Sequence, residues 1–250
     1  MSILDAFDMS SDAIIDPSFI AKGGKTVPEI AVATFSEKSI DTLKAEYNPE
    51  QILTLHAGGD VPIYAIGFGG HHVAVYRTIV GAAGTVSLME EMHALGCRKF
   101  VFFGSCGVLD RGLETNALIV PTAAYRDEGT SYHYAPASDY IDVQTASRLS
   151  QVLTELNLPH TLGKTWTTDA LYRETRGNME KRRAEGCLTV EMECSAIMAA
   201  SRFRGFEAYQ FLYAADNLDD KSWDARTLGT MPQDALAQWL RVALELAVRI

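Results

Sequence analysis

Three apolar runs in this chain each end in a short polar cluster, and that pattern constrains the fold more than any other feature. Lys99-Phe100-Val101-Phe102-Phe103 runs into Gly104-Ser105-Cys106-Gly107. Cys187-Leu188-Thr189-Val190 runs into Glu191-Met192-Glu193 and then an alanine-rich helical stretch. Phe211-Leu212-Tyr213-Ala214-Ala215 runs into Asp216-Asn217. Runs this apolar read as strands buried on both faces, which needs helices above and below a sheet. In open α/β sheets the carboxyl ends of the strands are where ligands bind, so the three clusters are candidate site residues.

The rest of the chain fits that plan. Strands are predicted over 29–34, 61–66, 72–80, 99–104, 117–125, 162–167, 188–190 and 207–214, and helices over 39–47, 85–95, 143–157, 175–185, 192–204 and 233–248. Leu88, Met89, Met92 and Leu95 form a stripe at the helical period, with Gly96 as the stop. Ser36 or Ser39 can cap the first helix. The alternation predicts an α/β three-layer sandwich, a mixed central sheet flanked by helices, in one domain over residues 1–250. Residues 1–27 carry little pattern and are expected to form a mobile arm or an oligomer contact.

Charge and cysteine usage narrow the function. The 250 residues carry 22 Lys and Arg against 32 Asp and Glu, a formal charge of −10, which argues against nonspecific nucleic-acid binding and against an anionic membrane surface. Cys97, Cys106, Cys187 and Cys194 form no C-x-x-C pair and read as buried thiols of a reducing compartment. The acidic N-terminus has no signal-peptide pattern and no apolar run is long enough to span a membrane, so a cytoplasmic location is expected. His56, His71 and His72 lack carboxylate partners at ligand spacing, and no metal is expected.

Each cluster suggests chemistry. An ionised glutamate at a strand end can accept hydrogen bonds from two sugar hydroxyls, or it can complement a helix N-terminus. Ser105 offers a hydroxyl among small residues that allow close ligand approach. Asp216, buried at a strand end, can have a raised pKa and act as a general acid, or it can cap a turn. Arg77, inside an otherwise apolar strand, needs a partner.

Gly104-Ser105-Cys106-Gly107, Thr167-Thr168-Asp169-Ala170-Leu171-Tyr172, Val190-Glu191-Met192-Glu193 and Ala214-Ala215-Asp216-Asn217, in this order and spacing, resemble the nucleoside phosphorylase family of uridine phosphorylase and the hexameric bacterial purine nucleoside phosphorylases. The match runs from about Ile30 to the C-terminal helix. The resemblance implies a partly barrel-like sheet and phosphorolysis of a nucleoside through an oxocarbenium-like transition state, with inorganic phosphate as co-substrate and no cofactor. It implies that Glu193 holds the 2′- and 3′-hydroxyls, that Met192 lies under the sugar, and that Glu191 is carried by the same motif. Asp216 matches the aspartate with which purine members protonate N7, which favours purines over uridine. Thr168, Leu171, Tyr172 and Arg173 fall in the base-binding segment; Leu171 stands where the family places an aromatic ring, for which Tyr172 or Trp166 can substitute. Ser105 matches the phosphate-binding hydroxyl. The family's first phosphate arginine is replaced by Lys38 and its second by Phe102, which leaves Arg77, and after it Arg126, as a relocated cation. His133, in the loop after a strand, is a candidate 5′-hydroxyl contact. The family forms homo-oligomers, dimers or three dimers to a ring. Three alternatives accompany this reading: a nucleosidase of the same fold using water, acyl transfer by Ser105 or Cys106, and a nucleoside-binding protein without catalysis.

Overall fold

The strand Lys99–Val108 is the pivot of the molecule. A computed structural model describes residues 2–10, 12–219 and 222–250. In chain order its elements are β1 Ile30–Thr34, α1 Glu37–Tyr47, β2 Glu50–Leu55, β3 Val61–Phe68, β4 His71–Arg77, α2 Ala82–Ala94, β5 Lys99–Val108, β6 Leu118–Asp127, β7 Tyr140–Asp142, α3 Ala146–Glu155, β8 Thr161–Thr168, α4 Arg176–Ala184, β9 Cys187–Glu191, α5 Cys194–Arg204, β10 Glu207–Asn217 and α6 Gln233–Ala247. The sheet order is β10-β6-β8-β9-β5-β1-β4-β3-β2, and β10 also pairs with β5. That extra pairing closes β10, β6, β8, β9 and β5 into a five-stranded barrel, from which β1, β4, β3 and β2 extend as an open wing. The expected mixed, partly barrel-like sandwich is the observed architecture.

Two strands share one edge of β5. Along its full length β5 runs parallel to β10, from Lys99 opposite Glu207 to Val108 opposite Asn217. On the other edge β1 pairs only as far as Thr34 opposite Phe103, and antiparallel β9 pairs only at Gly107 and Val108. Gly104, Ser105 and Cys106 therefore have no strand on that side. Because β1 and β9 approach from opposite ends, both direct their carboxyl ends at the same three-residue gap, a switch point of the kind where α/β proteins bind ligands.

The core explains the apolar runs. Phe100, Phe102, Phe103 and Phe211 are fully buried, with Phe103 and Phe211 stacked at 5.5 Å across β5 and β10. Helices α1 and α6 pack together, as do α2 and α5, and α6 packs on β5. Ser36 caps α1, its hydroxyl accepting from the Ser39 N–H at 3.4 Å.

Several boundaries differ from the sequence expectation. The strand predicted over 99–104 continues to Val108, because β10 keeps pairing past both glycines. Gly107 is required by close approach: a Cβ there would lie 2.5 Å from Leu218 and 3.3 Å from Asp216 Oδ1. The strand predicted to Val80 stops at Arg77, where the Thr78 N–H turns to Thr34 O at 2.8 Å. β2 and β7, not foreseen, are a polar edge strand and a three-residue strand, both too weakly patterned to read. His56 does meet a carboxylate, Asp60 at 2.8 Å, on an exposed turn. All four cysteines are buried and unpaired. In the N-terminal segment Pro17–Gly23 is a short 3-10 helix capped by Asp16, with Ile20 and Ala21 packed on the core, while Ile14 and Ile15 point into solvent. Among the described residues no helix is long and apolar enough to cross a membrane.

Candidate active site

The two glutamates at the end of β9 do different work. Glu191 accepts the Thr167 hydroxyl at 2.6 Å and the backbone N–H groups of Glu193 and Cys194 at 2.8 and 2.7 Å. It thus satisfies the open donors of the first turn of α5. Glu193 turns the other way, and its Oε1 accepts the Gly81 N–H at 2.6 Å. Gly81 has φ of 103°, a conformation that favours glycine and that opens α2 with its N–H aimed across the cleft. Burial raises the pKa of both carboxyls; the charge of Glu191 adds to the rise of Glu193, against which the N–H groups of Gly81 and Met192 work, whereas three donors, Thr167 and the N–H groups of Glu193 and Cys194, oppose the rise of Glu191. Glu191 is therefore the member held ionised by its donors, and Glu193 the one whose oxygens still lack full compensation.

Glu193 stands in the middle of a continuous cleft over the β5 gap. The middle chamber, of about 240 Å³, is walled by Phe35, Val80, Ser105, Met192, Glu193 and Asp216. One side opens onto a chamber of about 320 Å³ that brings Ser36, Lys38 and Ser105 together with Thr227 and Gly229. The other opens onto a chamber of about 420 Å³ walled by Leu171, Tyr172, Glu174, Met179, Asp216 and Trp223. Leu228 contributes to all three.

Asp216 reaches the cleft through a bulge. The β10–β5 register shifts between Ala214 and Asp216, and the freed Ala215 carbonyl accepts the Thr227 N–H at 2.9 Å. A bulge re-aims the side chain that follows it. Asp216 is buried, and its Oδ2 accepts the Trp223 indole N–H at 2.7 Å. Burial raises its pKa, and the bond from Trp223 opposes the rise.

The remaining sequence candidates are distributed as follows. Lys38, exposed on the first turn of α1, reaches the Met231 carbonyl at 3.4 Å and lines the chamber of Ser105. Arg77 does not: it pairs with Glu37 at 2.8 Å and lines a neighbouring cavity between α1 and the β3–β4 hairpin. Arg126 is buried near the end of β6, donating to Ser131, Ala135, Pro136 and Ser138 of the loop that follows and stacking on Tyr132, so it does not reach the cleft. His133 is exposed on the 3-10 turn Thr130–His133, whose Ser131 and Tyr132 face inward, and it is not on the cleft walls. Thr168 is buried, donates to Asp127 and accepts from the Ala170 N–H, which shapes the segment without lining the cleft. Leu171 and Tyr172 are on the wall, Tyr172 at its exposed rim, and Arg173 is exposed outside it. Trp166 is core, its indole donating to Asp127 at 3.0 Å. Cys106 is buried and its thiol pKa is raised far by burial, the opposite of what a thiolate nucleophile needs.

Two cleft residues escaped sequence reasoning, Glu174 and Trp223. Trp223 had a visible signal, a large aromatic in a polar stretch after the strand that delivers Asp216. Glu174 sits among charged residues that read as a solvated helix start.

Known proteins resemble this chain in sequence and in fold. The chain is 25% identical over 191 residues to a purine nucleoside phosphorylase of the DeoD type from Brevibacillus brevis, covering 72% of this chain and 77% of that one. It is 26% identical over 155 residues to the uridine phosphorylase of Escherichia coli, covering 56% of this chain and 61% of that one. The crystal structure of purine nucleoside phosphorylase from Toxoplasma gondii in complex with immucillin-H superposes with a TM-score of 0.74 at 17% identity, over 89% of this chain and 92% of that one, a likeness of fold. Residues 29–250 match the family described as the Phosphorylase superfamily, and the chain belongs to it.

Proposed function

We propose that this protein cleaves the N-glycosidic bond of a nucleoside with inorganic phosphate, releasing the free base and (deoxy)ribose 1-phosphate, with purine nucleosides favoured over uridine. The observation that carries the reading is the order of groups along one cleft: a hydroxyl and a cation at one end, a buried carboxylate in the middle, and carboxyl groups in an apolar chamber at the other. A phosphorylase needs an anion, a ribose and a base in that order.

In this mechanism Ser105 and Lys38 hold phosphate against the sugar. Glu193 accepts hydrogen bonds from the ribose hydroxyls, which strengthen as positive charge develops at C1′. Met192 and Val80 shield the sugar from water. A carboxyl at the base end, Asp216 in the sequence reading, handles the proton of the leaving group. Lys38 binds phosphate as a point charge without the bidentate fork of an arginine. Exposed apolar side chains at the rim and on the N-terminal arm, among them Ile14, Ile15 and Tyr172, support a homo-oligomer, a dimer or three dimers to a ring.

A nucleosidase using water is the second reading, favoured by the thin anion end: Lys38 is its single cation among the described wall residues, and Arg77 is paired elsewhere. The test is to incubate the protein with inosine, adenosine, guanosine and uridine, with and without phosphate, and identify the sugar released. Ribose 1-phosphate formed only with phosphate supports phosphorolysis. Free ribose at an equal rate without phosphate establishes the hydrolase instead.

A further inference from the structure

Two carboxyl groups face the base chamber, and they are held in opposite ways. Glu174 and Asp216 both line that chamber and both reach the wall it shares with the sugar chamber. Asp216 accepts the Trp223 indole N–H at 2.7 Å and lies in the field of the Arg226 guanidinium. Glu174 has no hydrogen-bond or ion-pair partner for its carboxyl group among the described residues, and its wall neighbours include Leu171, Met179 and Leu228. A carboxyl group with an N–H donor and a nearby cation favours its ionised form; one against apolar side chains without a donor favours its neutral form. Consistent with that geometry, burial, with the charge of Asp216 added, pushes Glu174 up to about 7.

The geometry points to Glu174 as the group that hands a proton to the departing purine, with Asp216 as the ionised carboxylate beside it. This assignment rests on the nucleoside-cleaving reading of the cleft. The C1′–N9 bond breaks with its electron pair going to the base, and Glu174 gives its proton to N7. A phosphate oxygen forms the new C1′–O bond with its own lone pair. Glu174 is left as a carboxylate next to Asp216, a repulsive pair that favours its reprotonation from solvent, to which the phosphate ester returns a proton. Burial raises both carboxyls, but only Asp216 has a donor and a cation opposing the rise, and such unequal surroundings are a recurring way to divide acid and anion roles.

The other titratable and charged groups on these walls are Arg176 of α4, Tyr172 of the preceding turn, Glu191 at the end of β9, Glu193 after it, and Cys106 of β5; Arg226 and Asp224 act on Asp216. The acid must be protonated to act, so turnover falls as pH rises through the pKa of Glu174.

The test is kcat against pH, from about 5 to about 9, with inorganic phosphate and two nucleosides, inosine and 7-methylguanosine. The second substrate carries a methyl group at N7, so its base leaves without a proton. For inosine, Glu174→Gln is expected to lower kcat by about 100-fold and to abolish the descending limb above about pH 7. For 7-methylguanosine the same variant is expected to turn over like the wild type, which a merely structural role would not allow. Asp216→Asn removes the neighbouring charge, so it is expected to keep the limb and move it to lower pH. An unaltered limb in Glu174→Gln, equal losses on both substrates, or a limb abolished by Asp216→Asn alone would overturn the assignment while leaving the phosphorylase reading in place. A wild-type protein that releases base from neither nucleoside overturns that reading and this assignment with it.

Discussion

The two ends of the cleft are built to different standards. At the end proposed for sugar and base, Glu191, Glu193 and Asp216 are buried, and each accepts N–H donors: Glu191 from the first turn of α5, Glu193 from Gly81 and Asp216 from the Trp223 indole. At the end proposed for the anion, exposed Lys38 reaches the Met231 carbonyl beside Ser105, and Arg77 is paired with Glu37. Rigid, desolvated groups stabilise a transition state because they need no rearrangement when charge appears. Solvated, mobile groups bind an ion but discriminate little. On the proposed reading, the contrast teaches that this chain commits its structure to the sugar and the leaving group more than to the nucleophile.

Four substitutions can break or sharpen that contrast. Glu193→Ala is expected to cost the most turnover, about 100- to 1000-fold in kcat, with the fold intact; wild-type turnover would remove Glu193 from the site. Glu191→Ala is expected to act on stability instead, losing about 3 kcal/mol as the N–H groups of Glu193 and Cys194 go unpaired. Denaturant unfolding measures this, and a variant as stable as wild type would mean that water replaces the carboxylate. Lys38→Ala is expected to raise the phosphate KM about tenfold with little change in the nucleoside KM; an unchanged phosphate dependence would transfer support to the water-using reading. Arg77→Ala is expected to be nearly silent, within about 0.5 kcal/mol in stability and without effect on phosphate saturation, because its ion pair with Glu37 is half exposed. A large rise in phosphate KM there would show that Arg77 changes partner during the reaction.

The fold was legible where burial dominates. The long apolar runs of β5 and β10 gave strands, and the periodic stripe of α2 gave a helix. What escaped was set by tertiary pairing: β5 continues through two glycines only because β10 stays beside it, and the edge strand β2 has too little buried surface to leave a pattern. The site divides similarly. Glu193 and Asp216 stand at strand ends whose register is local. The separation of Glu191 from Glu193 depends on a turn that aims adjacent carboxylates in opposite directions, one at helix N–H groups and one at a glycine far along the chain. Arg77 was given a place in the site and Glu174 was not for one reason. A charged side chain's partners come from other elements, and neither the Glu37 that neutralises one nor the apolar wall that isolates the other is visible nearby in sequence.

The unpartnered edge of β5 at Gly104–Cys106 gives the empty protein a measurable weakness. Neither β1 nor β9 reaches it, so a ligand occupying the gap takes the place of a missing strand. Deuterium uptake in this segment should then be fast in the empty protein relative to the flanking ladder and slow on saturation with phosphate and nucleoside, although no helix or loop need move. Occupancy of the cleft would be recorded in the exchange rates of the central strand itself.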